Sequence, residues 1–276
     1  MGNVDLHIHS QVSDGTMTPD EIIERAIEQG VTTLAIADHD EIDSSLALKP
    51  LCEAHGIRYI PAVEHTALFD GHCVHILSYH ADLMHSEFTA LRKRARRALD
   101  GMSETMIERM AKQDARVSPE DFAAFERDPS LGGWKGLEYL MHRGVTASMQ
   151  DGMRHYGHHG VSYVDADFPS LSETIAAIHA AGGIAVLAHP GDTIPTMTAG
   201  DPEPQVAFQR ELDRLIAQGL DGVECYYPDH EPWVTQACLD KCNAEGLAIT
   251  SGSDCHGTFQ YTDIGQPHID ESMVRL

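Results

Sequence analysis

Short apolar runs alternate with helical stretches along this chain, and the runs end again and again in histidine or a carboxylate. The stretch VDLHIHS at residues 4–10 sets Val4, Leu6 and Ile8 against Asp5, His7 and His9. That two-residue period describes a β-strand with one apolar and one polar face. Side chains at i and i+2 point the same way, so His7 and His9 converge on one small object. Imidazole nitrogen is a common ligand for zinc, iron and manganese, which makes a metal ion the natural candidate. A similar polar ending is read in TTLAIADHD (His39), RYIPAVEH (Glu64), CVHILSYH (His75), GIAVLAHP (His189) and LAITSGSDCHG (Asp254 and His256), with Asp14 in the loop after the first strand.

Helical patterns fall between the strands, at residues 19–29, 171–181, 206–218 and 232–245. The first has Thr18 placed as N-cap and Pro19 at the first helical position. From about 86 to 165 strand signals cease and helical periodicity takes over. Such alternation predicts an α/β chain of parallel strands with helices outside, closed or nearly closed as a barrel. The C-terminal strand ends of a parallel barrel share one face, where sites are built. His7, His9, Asp14, His39, Glu64, His75, His189, Asp254 and His256 would meet there. They exceed what one ion takes from protein and suit two to three divalent ions, with a carboxylate such as Glu64 as a bridge. Cys255 is expected to point away from Asp254 and His256, so no thiolate joins the set, and Mn, Fe or Zn is favoured. Clustered cations bind a phosphoryl group and neutralise charge on a leaving oxygen.

With 276 residues the chain can bury a full core, as one domain or as one domain with an insertion. It has no run of about 18 apolar residues, and neither a membrane span nor a secretory signal is expected. The six cysteines are scattered without a C-x-x-C pair, which predicts reduced thiols and a cytoplasmic protein. The net charge of −24 is uneven. Residues 86–165 hold 12 basic and 12 acidic side chains, leaving 7 against 31 elsewhere. Arg92, Lys93, Arg94, Arg96 and Arg97 crowd into one short run. An acidic whole disfavours long polyanions, whose affinity needs many phosphate contacts. A small phosphorylated molecule held by metal ions and a few local cations remains compatible.

DLHIHS with Asp14, DHD, AVEH, HIL, AHPG and SGSDCHG, in this order, resemble the polymerase-and-histidinol-phosphatase (PHP) family. The resemblance implies a distorted (β/α)7 barrel over residues 1–85 and 166–276, with the 86–165 helices inserted as a cap over the metal site. It implies a trinuclear centre hydrolysing phosphoesters: His7, His9, Glu64 and Asp254 on one ion, Glu64, His75 and His189 on a second, and Asp14, His39 and His256 on a third. A hydroxide shared by two ions would attack phosphorus, with Glu64, His189 and Asp254 as the catalytic set. Asp38 and Asp40 are read as supports rather than ligands. The inserted helices resemble those of nucleoside 3′,5′-bisphosphate phosphatases and short-oligonucleotide exonucleases. That likeness points to Arg94, Arg97, Trp134 and Lys135 as substrate contacts, with Arg143 and Arg154 as weaker candidates. Two departures stand out: HPGDT puts Asp192 where many such relatives carry Arg, and GGWKG differs from their corresponding segment.

The expected activity is hydrolysis of a small phosphomonoester, above all the 3′-phosphate of a nucleoside 3′,5′-bisphosphate. A histidinol-phosphate-type phosphatase, a short-oligonucleotide exonuclease and a catalytically silent binding module are the alternatives. C–N hydrolysis in a related metal barrel is disfavoured, because no lysine stands at a strand end. Neither a membrane, long nucleic acid nor an obligate protein partner is expected.

Overall fold

The computed structural model describes residues 2–194 and 203–276. Its strands are β1 (Asn3–Asp5), β2 (Val31–Leu34), β3 (Arg58–Tyr59), β4 (Ala62–Phe69), β5 (His72–Tyr79), β6 (Ile184–Leu187), β7 (Gly222–Tyr226), β8 (Ala248–Ser251) and β9 (Ile269–Asp270). They form two sheets, one ordered β3-β2-β1-β9 and the other β4-β5-β6-β7-β8. This corrects the expected parallel barrel, because the described strands close no continuous ring of ladders. At two seams the sheets meet through isolated parallel bridges, Ile8 with Cys255 and His39 with Glu64. Each seam carries a few backbone bonds only: Leu6 N–H to Ser251 O at 3.0 Å, Asp254 N–H to His7 O at 2.7 Å, and Asp40 N–H to Glu64 O at 2.9 Å.

Strand direction departs from expectation as well. β4 and β5 are antiparallel, and β5 also runs antiparallel to β6. The cause is local: Asp70 and Gly71 both take positive φ, 49° and 78°. Two such residues make the tight turn whose twist suits a two-residue hairpin. A parallel crossover would instead need a dozen or more residues. Because β5 is reversed, His75 reaches the shared end of the sheets from near the start of its strand.

The sheets enclose a common apolar core that includes Val4, Leu6, Ala35, Ala37, Ile60, Leu77, Tyr79 and Val186. Helices cover the outside. In the helix Pro19–Glu28, Thr18 accepts from the Glu21 N–H while Glu21 reaches back to the Thr18 backbone, and Ile22, Ile23 and Ala26 face inward. Residues between β5 and β6 hold the long helix Ser86–Met110 and the shorter Pro119–Ala124, Lys135–His142, Met149–Gly152 and Arg154–His158. They pack on one another around Ala95, Leu99, Met102, Met106, Phe122, Tyr139 and Leu140. All six cysteines are free thiols. Among the described residues no helix is long and apolar enough to cross a membrane.

Gly252 follows β8 at one seam, where a Cβ would lie 2.2 Å from His7 Cβ and 2.6 Å from Glu224 Oε1. Backbone and a buried carboxylate cannot both yield at that distance. Gly252→Ala is therefore expected to destabilise the fold by about 1–3 kcal/mol or more, the range for overpacking a close-packed interior. Urea unfolding of the two proteins measures it, and equal midpoints would show that the seam relaxes freely.

Candidate metal centre

Glu64, buried near the start of β4, has five imidazoles against its carboxylate. His189 Nε2 and His75 Nδ1 lie 3.0 and 3.2 Å from Oε1. His9 Nε2, His39 Nδ1 and His7 Nε2 lie 3.1, 3.2 and 3.4 Å from Oε2. Asp254 Oδ1 stands 3.2 Å from His9 Nε2 and 3.4 Å from His7 Nε2. Asp14 approaches His9 Nδ1 and His256 Nε2 at 3.3 Å each, and His39 Nε2 at 3.9 Å. The structure thus gathers all nine expected ligands. Three sets of their donor atoms are close enough to serve one ion each: His9, Asp14, His39 and His256; His7, His9 and Asp254; and His39, Glu64 and His75. His9 and His39 each stand between two sets, which the division read from the resemblance did not anticipate.

Two observations fit these residues to metal ions. His7 Nε2 and His9 Nε2 are only 3.1 Å apart, and His75 Nδ1 and His189 Nε2 3.3 Å apart, so nitrogens converge where a cation can sit between them. His39 Nδ1 is buried and makes no hydrogen bond, although Glu64 lies beside it. The donors are imidazole nitrogen and carboxylate oxygen without thiolate, the chemistry of Mn, Fe or Zn.

A surrounding layer of bonds fixes these side chains. Asp38 accepts from Ser10 N–H and Ser10 Oγ at 2.7 Å each, from Ser13 Oγ at 2.5 Å, and from Ser44 Oγ. Asp40 accepts from His65 Nδ1 at 3.3 Å and Thr66 N–H at 3.4 Å. Asp5 holds the C-terminal loop through Gly265 N–H at 2.7 Å and Ser253 N–H at 3.0 Å, and burial pushes its carboxyl up to about 7 against those bonds. Glu224 was missed in the sequence. Fully buried in β7, it lies 3.1 Å from His7 Nδ1 and accepts from His189 N–H at 2.8 Å. A carboxylate behind a ligating imidazole fixes its tautomer and ring direction. The available signal was a lone acid inside the apolar run GVECY. His189 and Asp254 take φ of 27° and 51°, a region costing non-glycine residues about 1–3 kcal/mol.

Charge follows the same geometry. Burial opposes a proton on His7, but Glu224, Glu64 and Asp254 outweigh it and hold the imidazole well above its ordinary value. Burial is likewise overcome at His9 by Asp14, Asp254 and Glu64, and at His75 by Glu64. On the acid side, charged neighbouring imidazoles, His75 and His7 among them, overcome burial and keep Glu64 well below the carboxylate range. His39 goes the other way, driven by burial down to about 3, so it offers a neutral nitrogen.

A cavity of about 930 Å³ opens over the cluster. Its walls include Asp14, His39, Glu64, His75, His189, Asp254 and His256, together with Leu99, Trp134, Leu137, Gln150 and Tyr163 from the helices above. Trp134 reaches the cluster, its ring 5.5 Å from that of His39. The cations read as substrate contacts do not line this cavity. Arg94 bonds Asp167 at 2.9 Å and Glu173 at 3.0 Å, and shares a separate cleft with the exposed Arg97. Lys135 Nζ stands 4.7 Å over the Phe122 ring. Arg143 pairs with Asp121 at 3.3 Å and Arg154 with Asp151 at 3.9 Å. The reason is helical: a basic run wound at 3.6 residues per turn points to several faces. Asp192 does line the cavity, where it accepts from Tyr227 Oη at 3.1 Å.

The PHP domain family model matches residues 5–159. A 5′-3′ exoribonuclease of Haemophilus influenzae is 32% identical over 187 residues, 67% of this chain and 68% of its own length. The chain spans about two thirds of the length of the curated exoribonucleases it matches. A 3′,5′-nucleoside bisphosphate phosphatase of Chromobacterium violaceum is 27% identical over 93% of this chain and 88% of its own. Among solved structures, a Bifidobacterium adolescentis protein assigned to the metal-dependent phosphoesterases superposes with a TM-score of 0.77, at 28% identity, over 95% of this chain and 90% of its own.

Glu224→Gln keeps the shape but loses the charge behind His7, and is expected to weaken metal retention by about 10–100-fold. Metal content after dialysis against graded chelator measures this, and wild-type retention would remove Glu224 from the centre. Metal uptake carries its own pH signature. A histidine whose pKa is raised keeps its proton to higher pH, and an ion must displace that proton. Loading the metal-free protein near pH 7 should therefore release protons, and apparent affinity should rise with pH. An indicator dye in weak buffer reads the release, and uptake without it would contradict the charge state derived for His7, His9 and His75.

Proposed function

The chain belongs to the PHP domain family and is a metal-dependent phosphoesterase; from that premise we propose that it removes the 3′-phosphate of a nucleoside 3′,5′-bisphosphate. The Chromobacterium violaceum bisphosphate phosphatase aligns over nearly the whole of both chains, including the helices that roof the cavity. Alignment over nearly whole chains favours a small nucleotide-type phosphoester over RNA, and a phosphoribosyl 1,2-cyclic phosphate 1,2-diphosphodiesterase of Eggerthella lenta shares that coverage at the same 27% identity. We take residues 86–165 as the substrate-binding cap, and His7, His9, Asp14, His39, Glu64, His75, His189, Asp254 and His256 as the holders of two to three divalent ions. When bound, such ions supply positive charge to a phosphoryl group and acidify water.

The chain's own residues do the positioning. Glu64 sets the spacing of whatever its five imidazoles hold, with His189 and Asp254 on either side, each fixed in a left-handed backbone conformation. Among the described residues no Lys or Arg lines the cavity, so neutralising the reacting phosphate falls to the ions. Tyr227 Oη, 3.1 Å from Asp192 and 3.4 Å from Asp254, ties the cavity wall to the cluster. The exoribonuclease relatives support a second reading, removal of nucleotides from an RNA end, which leaves long nucleic acid open as a substrate.

Purified, Mn-loaded protein should release phosphate from nucleoside 3′,5′-bisphosphates, and chelation should abolish the release. A panel that also holds histidinol phosphate, an aryl phosphate and a short RNA decides among the readings, and turnover of RNA alone would replace the phosphatase. Glu64→Gln removes the carboxylate shared by the centre and is expected to lower kcat by about 10²–10³, with reduced metal content. Near-normal turnover and metal content in that variant would refute its bridging role.

A further inference from the structure

The turn that carries His189 is tied to strand β7 at two points, and only one of them is Glu224. His189 takes φ 27° and ψ 61° at the head of the turn His189-Pro190-Gly191-Asp192, a conformation that persists only where the surroundings impose it. Pro190 has no N–H, and the amides of Asp192 and Thr193 both return to the His189 carbonyl, at 2.9 and 3.1 Å. The amides of His189 and Gly191 reach outward instead. The first donates to Glu224 of β7 at 2.8 Å. The second donates to His230 Nε2 at 3.1 Å, while His230 Nδ1 lies 3.2 Å from the carbonyl oxygen of Cys225, the next residue of β7.

A backbone N–H only donates and a carbonyl only accepts, so these two partners select one neutral tautomer of His230, with its proton on Nδ1. The fit to the turn is close. A Cβ on Gly191 would lie 2.7 Å from His230 Cδ2 and 3.2 Å from Nε2, so the imidazole reaches the amide only because residue 191 is glycine. His230 itself belongs to none of the three donor sets.

We propose that His230 is a positioning residue of the metal centre: through the Gly191 amide it fastens the His189 turn to β7 and so aims the His189 imidazole at Glu64 and His75. The proposal rests on reading His189 as a ligand. Glu224 and His230 act as a pair, one on each side of Pro190 and both grounded on neighbouring residues of one strand. His189 Nε2 depends on that control, because it stands 3.0 Å from Glu64 Oε1 and 3.3 Å from His75 Nδ1. With Gly191 released, the turn relaxes toward ordinary backbone angles and carries the imidazole off these partners.

Two substitutions separate the functions of the His230 ring. A glutamine side chain places its amide oxygen near the position of Nε2, so His230→Gln keeps an acceptor for Gly191. An asparagine amide extends only as far as Nδ1, so His230→Asn keeps the donor to Cys225 and leaves the Gly191 N–H bare. Both variants, wild type and His189→Ala are loaded with Mn and dialysed against graded chelator. His230→Asn should retain metal about 10–100-fold less tightly, while His230→Gln should stay close to wild type. In the metal-free proteins, solvent exchange of the Gly191 amide hydrogen should be slow in wild type and His230→Gln and fast in His230→Asn. Equal metal losses in the two His230 variants make the residue merely structural and overturn the proposal. Wild-type retention in His230→Asn beside loss in His189→Ala overturns it and leaves the ligand set standing. Wild-type retention in His189→Ala overturns the ligand reading of His189 and the proposal with it.

Discussion

Six imidazoles and three carboxylates packed within hydrogen-bond distances, most of them buried, set the terms for the rest of this molecule. Like groups at such separations repel unless something of opposite charge lies between them. Without metal the arrangement holds protons: Glu64 stays ionised while His7, His9 and His75 stay charged. The same atoms are grouped closely enough to serve as ligands to metal ions. A buried cluster of this kind survives only where its backbone is held rigid, because an unpaired charge in the interior costs several kcal/mol.

The fold meets that demand at the seams. Neither seam has an extended ladder, yet each delivers candidate ligands: His39 and Glu64 face one another across the first, and His7, His9, Asp254 and His256 gather around the second. Ending the ladders early frees the chain to turn these side chains inward. Asp5, Asp38, Asp40 and Glu224 then replace the missing strand bonds with side-chain bonds to the same loops. The outer helices anchor the strands through apolar contact, while the acids behind the ligands set direction.

The helical block adds what the sheets lack. Outside it the chain is strongly acidic, and the cavity carries Asp192 and Asp229 on its wall. The block's balanced composition matters less than where its cations point. Arg94 is engaged by Asp167 and Glu173 on one face, while Arg92 and Arg96 turn toward Trp134 and Glu41 on another.

The sequence by itself determined the local choices: alternating strands, the Thr18 capping box, the helical stretch after residue 86, and nine ligand-type side chains spaced so that each strand unit contributes one or two. These were legible because period, capping and side-chain chemistry act over a few residues. The Asp70-Gly71 turn is equally local, and its two positive φ angles mark the hairpin. Only the tertiary structure decided the two open sheets in place of a closed barrel, the reversal of β5 that carries His75 to the site, and the placing of His9 and His39 between ligand sets. It alone revealed Glu224 behind His7, because their pairing joins residues 217 positions apart. It also separated Arg96 from Arg94 on one helix. Such outcomes depend on which distant surfaces pack together, and no pattern within a single segment contains that information.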